Sequence, residues 1–323
     1  MNQDDVTGGL LRSVSRTFYL SIRILPAALR EAMGVAYLLA RTSDTIADSD
    51  GAAVPVRLRR LEEFGKMLQS GATTQFVGNI QRDILPEHAG ERELIAALPR
   101  VLERFGKFKP WEWKETVELL TNIINGQSND LRTFPASGTG TVAALADAFC
   151  LEDYTYLVAG CVGEWWTRMC FHHFPRYSNR PEQELMPLAS AFGKGLQLVN
   201  ILRDMPADLR AGRCYLPADE LLRAGADPAT LLDNPAAAQP VFEEWMAKAR
   251  TFLNDGRDYI RAVRPWRVRF ACYLPWQLAV KTLDLMAATP PLASTEKVKV
   301  SRSMVYGTML RGVVAAFSNS PLN

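Results

Sequence analysis

The strongest constraint on this chain is its helical periodicity. In PAALREAMGVAYLLARTSDTIAD (residues 26–48), Leu29, Met33, Ala36, Tyr37 and Ala40 recur at three- and four-residue intervals and fall on one stripe of a helix. Pro26 suits a first helical turn, where its missing N–H is not needed, and Gly51 ends the segment. The same spacing predicts helices over 56–69, 92–105, 111–131, 153–174, 182–203, 242–262, 267–288 and 298–317. Alternating strand patterns of useful length and Asn-Gly hairpin turns are absent. The expected fold is therefore all-α, with about ten helices. Breaks at Pro86, Pro110, 135–140, 175–181 and 228–240 read as loops between helices rather than linkers, so residues 1–323 read as one domain. The longest irregular stretch, 224–240, reads as a lid or as variable surface.

Composition narrows the function classes. The chain has 323 residues, 48% of them hydrophobic and 22% charged, which suits a sizeable core. A net charge of +2 with no basic concentration argues against nucleic-acid binding. Cys150, Cys161, Cys170, Cys214 and Cys272 form no CxxC pair and no zinc spacing, and their odd number fits reduced thiols in a cytoplasmic protein. The opening MNQDDVTGGL is acidic and polar, unlike a signal peptide. No stretch of about 18 uncharged apolar residues reads as a membrane span. The stretch 303–317, interrupted by Arg311, reads as a packed helix, with peripheral contact to a membrane surface as the second reading.

One segment departs from ordinary helix composition. In YTYLVAGCVGEWW, Ala159, Gly160 and Gly163 place small residues on successive turns. Glycine costs about 1 kcal/mol against alanine in a helix, so a geometric demand must offset it. Close approach of another helix is favoured over room for a ligand.

Two segments share a DxxxD spacing: RTSDTIAD, with Asp44 and Asp48, and ILRDMPAD, with Asp204 and Asp208. On a helix, each pair presents two carboxylates at one spot about a turn apart. Such pairs are common on solvated faces, but these end long apolar helices. Arg41 lies three residues before Asp44, and Arg203 directly precedes Asp204. Gln197, Asn200 and Asp204 form a polar stripe that, if buried, needs polar partners. Oxygen donors of this kind suit magnesium bound through one or two carboxylates plus substrate phosphates. Diphosphate leaves readily once metal and guanidinium neutralise it. The carbocation left by an allylic diphosphate needs apolar, aromatic walls, which Phe18, Tyr19, Tyr37, Tyr154, Tyr156, Trp165 and Trp166 can supply. His88, His172 and His173 show no ligand or triad spacing, and His172 and His173 read as surface or capping residues near a helix end. No GxSxG, P-loop or GxGxxG follows a strand.

At these residues the chain resembles the squalene/phytoene synthase family, which joins two prenyl diphosphates head to head. The resemblance spans SRTFYLSIRILP (residues 15–26), AYLLARTSDTIAD (36–48), YTYLVAGCVGE (154–164) and QLVNILRDMPADLRAGRCYLP (197–217), and continues more weakly through ACYLPWQLA (271–279). It implies one all-α domain around a central cavity, with the two acidic motifs facing each other. Asp44, Asp48, Asp204 and Asp208 would hold magnesium. Arg16, Arg41, Arg203 and Arg213 would meet diphosphate or, in reductive members, the cofactor's phosphate. Phe18, Tyr37, Gln197 and Asn200 would line the site, and Tyr154 matches a tyrosine implicated in ionisation or proton removal. Lys299 and Arg302 stand where reductive members place basic residues for NADPH, and a basic helix start is the other reading. Ala47 and Ala207 replace the extra acid of many members, and Pro206 is expected to kink or end its helix, which leaves the position of Asp208 open. The expected reaction is farnesyl diphosphate to squalene with NADPH, with dehydrosqualene, phytoene or hydroxysqualene formation as alternatives. A terpene cyclase fits QLVNILRD and GRCYLP poorly, and a non-catalytic assembly protein of the same fold would be expected to lose acidic ligands.

Overall fold

The computed structural model describes residues 6–15, 17–70, 74–134 and 141–293. Among them the chain is all-α: thirteen α-helices, with strand limited to two dipeptides. The chain divides into two compact units, Met1–Leu131 and Arg132–Asn323.

The first unit carries α1 (Val6–Val14), α2 (Thr17–Ile24), α3 (Ala27–Ala47), α4 (Val54–Ser70), α5 (Thr74–Asp83), α6 (Ala89–Phe105) and most of α7 (Pro110–Thr133). α3 packs against α1, α4 and α6. Its Val35, Leu38, Leu39 and Ile46 are fully buried, together with Phe64 of α4 and Leu98 of α6. Each such side chain contributes about 1.5–3 kcal/mol. The hydroxyls of Thr42, Ser43 and Thr45 are buried yet satisfied, each donating to a carbonyl of the preceding turn, those of Leu38, Ala40 and Arg41. α3 thus tolerates a polar run at its end without orphaned hydroxyls. Arg60 of α4 is almost fully buried and is held by Glu63 and by Asp83 of α5. Hydrogen bonds from Arg82 and Arg60 hold the Asp83 carboxyl down to about 2.

The second unit centres on α10 (Glu182–Arg210), which packs against α12 (Pro235–Ala262), α13 (Trp266–Ala288) and the long segment formed by α8 (Ala148–Thr155), a π-helical turn (Tyr156–Gly160) and α9 (Cys161–His173). A Cβ on Gly163 would lie 2.0 Å from the Ala189 carbonyl oxygen, and one on Gly193 would lie 2.1 Å from that of Ala159. The small residues therefore serve close backbone packing, as their spacing indicates. β1 (Ala143–Ala144) pairs in parallel with β2 (Arg213–Cys214), which follows a turn at Gly212 with φ 82°. α11 (Ala218–Arg223) completes the set.

Several expectations change. α10 does not end near Pro206 but continues to Arg210, with the Ala211 N–H bonded to the Ala207 carbonyl. An internal proline costs about 3 kcal/mol, whereas burying Met205 and Leu209 around it returns about 1.5–3 kcal/mol each; the packing wins. The same holds at Pro240, which lies inside α12 beside buried Ala238, Val241 and Phe242 rather than in a loop. Pro110 likewise begins α7. α1, α2, α5 and α11, of 6 to 10 residues, are too short for periodicity to register. The segments 135–140 and 298–317 lie outside the described residues. α10 is long and apolar enough to cross a membrane, but half of its most apolar stretch is buried, as in a core helix.

Candidate functional site

The first acidic motif closes α3. Asp44 sits in its last turn, and Asp48 caps it, donating its backbone N–H to the Asp44 carbonyl at 2.8 Å. Asp44 Oδ1 accepts from Gln127 Nε2 of α7 at 2.5 Å, and its Oδ2 lies 3.6 Å from Arg41 Nη1. Asp44 keeps 42% side-chain exposure, yet protein surrounds it closely enough that burial, followed by the like charge of Asp48, pushes its carboxyl up to about 6. Arg41 also donates to Glu91 of α6 at 2.5 Å, so its guanidinium bridges Glu91 and the motif. Its Nε is buried with no hydrogen-bond partner. One turn earlier on α3, Tyr37 packs its ring 5.4 Å from that of Phe18 on α2, which is 49% exposed. Burial raises the Tyr37 hydroxyl above its usual pKa.

The second motif is built differently. Arg203 grips Asp204 with two hydrogen bonds, Nε to Oδ1 at 3.2 Å and Nη2 to Oδ2 at 2.5 Å. Because α10 continues through Pro206, Asp208 remains one helical turn beyond Asp204, and Arg213 of β2 donates to its Oδ1 at 3.0 Å. Two residues after Arg213, the Tyr215 ring stacks on Tyr154 of α8 at 5.1 Å, and Phe134 meets Tyr215 edge-on at 5.0 Å. Gln197 is half-buried on α10, but Asn200 is exposed. The expected stripe of buried amides therefore does not include Asn200, whose side chain is open to solvent. Trp165 is enclosed in its unit at 4% exposure instead of facing an opening. His172 and His173 stand in the last turn of α9. Arg16, Lys299 and Arg302 lie outside the described residues.

Three contributors escaped sequence reading. Glu91 is an ordinary first-turn acid of α6, and nothing in its spacing points to Arg41. Gln127 left a trace: GQSND inserts polar residues into an amphipathic helix, and Gln127 and Ser128 are buried there. Tyr215 lies within GRCYLP, but only the fold stacks it on Tyr154.

The residues fit magnesium. Among the described residues no three or more His, Cys, Asp or Glu side chains cluster for a protein-only ion cage, so a cation here takes carboxylates in pairs, with water and phosphate completing its shell. At the first motif two nearby carboxylates disfavour joint ionisation, and Gln127 Oε1 is a buried acceptor with no partner. A hydrated cation relieves both defects. At the second, guanidinium groups already balance the carboxylates, and such forks also bind phosphate.

The fold recurs in solved structures. A complex of TcSQS with the ligand E5700 superposes with a TM-score of 0.78 over 98% of this chain and 89% of that one, at 21% identity. In sequence, the chain is 27% identical to the squalene synthase of Yarrowia lipolytica over 286 residues, 87% of this chain and 61% of the relative. It is 31% identical to the presqualene diphosphate synthase of Zymomonas mobilis over 214 residues, 65% of this chain and 59% of that one. The chain spans 61% to 66% of the length of the first curated squalene synthases it matches. The sequence signature of squalene/phytoene synthases covers residues 11–304, from α1 past the end of α13 and across both acidic motifs, and on that match the chain belongs to the squalene/phytoene synthase family.

Proposed function

We propose that this chain is a magnesium-dependent prenyltransferase that condenses two farnesyl diphosphates head to head, through presqualene diphosphate, to squalene with NADPH. The observation that carries this reading is that each acidic motif keeps both carboxylates and brings an arginine to them, Arg41 at one and Arg203 and Arg213 at the other. Asp44, Asp48, Asp204 and Asp208 hold magnesium, which when bound neutralises diphosphate and eases its departure. Arg41, Arg203 and Arg213 exchange carboxylate oxygens for phosphate oxygens, which their planar forks match equally well. The Phe18–Tyr37 pair offers aromatic faces that stabilise positive charge and exclude water. Gln197 and Asn200 line the polar end. Tyr154, held by its stack on Tyr215, directs its hydroxyl to the reacting prenyl chain. A phenol of pKa about 10 is a poor base alone, so the departing diphosphate shares proton removal. From the family resemblance, Arg16, Lys299 and Arg302 serve diphosphate and NADPH. The lipophilic product favours a cytoplasmic protein that works against a membrane surface.

The similarity to a presqualene diphosphate synthase supports a second reading, in which the chain stops at the cyclopropyl diphosphate and needs no reductant. Incubating the purified chain with farnesyl diphosphate and magnesium, with and without NADPH, and identifying products by mass spectrometry separates the two. Squalene formed only with NADPH supports the first. Presqualene diphosphate under both conditions supports the second. Dehydrosqualene irrespective of NADPH, or turnover of geranylgeranyl diphosphate alone, overturns both.

A further inference from the structure

We infer that Gln127 is a magnesium-positioning residue of the first acidic motif, fixing the Asp44 carboxylate with its amide nitrogen and accepting a hydrogen bond from a metal-bound water with its amide oxygen. The inference rests on the magnesium reading above and adds a residue from α7, outside both acidic motifs.

Gln127 is 8% exposed, among the buried polar residues of its unit. Its Nε2 donates to Asp44 Oδ1 at 2.5 Å. Only the amino end of an amide can donate to a carboxylate, so this bond fixes which end of the side chain is oxygen. That oxygen is buried and has no hydrogen-bond partner. A buried amide acceptor left unsatisfied is unfavourable, and it persists here beside a carboxylate whose guanidinium partner, Arg41, stands 3.6 Å away. A hydrated cation would serve both atoms: its charge suits Asp44, and a water on it would donate to Oε1. Magnesium keeps several of its waters when bound, and outer partners of this kind orient the ligands that touch the metal.

The test uses the full chain, wild type and Gln127→Met, with magnesium chloride and inorganic pyrophosphate as probes. Methionine keeps the volume and removes both polar ends. Thermal unfolding is followed across a magnesium titration at fixed pyrophosphate, and magnesium binding is measured in parallel by calorimetry. The expected result is a magnesium requirement raised about tenfold or more in Gln127→Met, while the metal-free melting temperature changes little, because the lost bond to Asp44 and the removed unpaired acceptor act in opposite directions. A magnesium requirement equal to that of the wild type, or a lowered metal-free melting temperature with an unchanged magnesium response, overturns the inference. Where Gln127→Met does not fold, Gln127→Ser replaces it with the same two outcomes. A wild-type chain that shows no magnesium response sinks the magnesium reading and this inference together, whereas a responsive wild type with an equally responsive variant sinks this inference alone.

Discussion

The ends of α3 and α10 carry the same DxxxD spacing and handle its charge in opposite ways. At the end of α10, each aspartate has its own guanidinium, Arg203 gripping Asp204 and Arg213 bonded to Asp208. At the end of α3, Arg41 is shared with Glu91 and stands 3.6 Å from Asp44, whose firmest partner is the neutral amide of Gln127. The second motif pairs each carboxylate with its own guanidinium, whereas the first does not, and burial, followed by the like charge of Asp48, raises the Asp44 pKa. Under the proposed function, identical spacing gives one site that takes up a cation and another that passes its arginines to phosphate.

The largest effect tests whether the two motifs share one task. Asp44→Ala and Asp204→Ala are each expected to lower kcat/KM with farnesyl diphosphate by about two to three orders of magnitude, the loss of several kcal/mol of metal-assisted charge stabilisation. Undiminished turnover in either variant removes that motif from the metal assignment. Next, the arginines should part company. Arg203→Lys cannot reproduce a two-point grip and is expected to cost about tenfold in kcat/KM, while Arg41→Lys, at a single-bond position, costs less in steady-state assays. Equal losses would erase the distinction between the motifs.

Stability gives the sharper contrast. Asp44→Asn should raise metal-free stability by about 1 kcal/mol, since solvent screening at a partly exposed carboxylate reduces what its shifted pKa implies. Asp204→Asn should lower stability by breaking its paired bonds to Arg203. Denaturant titration of both variants reads the sign directly, and matching signs would refute the comparison. The smallest effect is its pH dependence. Asp44 titrates near 6 in the fold against an ordinary 3.8, so the fold holds this proton where the unfolded chain does not, and stability falls as pH rises through that window. The Asp44→Asn advantage is therefore complete above pH 6 and gone below about pH 4. An advantage that persists at pH 4 points to packing instead of charge.

Much of this was legible in the chain. The apolar stripe of α3 and the glycine spacing around Gly163 record single dominant forces, burial and close backbone approach, and both leave periodic marks. The DxxxD spacing at the ends of apolar helices located the acidic motifs, and the family blocks lie around them. What stayed hidden was decided by competition or by distance in sequence. Pro206 signals a break, but Met205 and Leu209 outweigh it. Asn200 lies on the stripe with Gln197, yet it is exposed where Gln197 is half-buried. Glu91 and Gln127 reach Arg41 and Asp44 from helices 50 and 83 residues away along the chain, and no local pattern encodes such a meeting.

The π-helical turn between Tyr154 and α9 carries a further consequence. A π turn is equivalent to an α-helix with one extra residue, and each added residue rotates the downstream helix by about 100°. The face of α8 that bears Tyr154 and the face of α9 that lays Gly163 against α10 are thereby set by separate phases of one continuous helix. The turn acts as a phase joint, so that changes in α8 can re-aim its tyrosine without unseating the glycine contacts downstream. Deleting one residue from Tyr156–Gly160 would restore a uniform helix and force the two faces to choose between their partners.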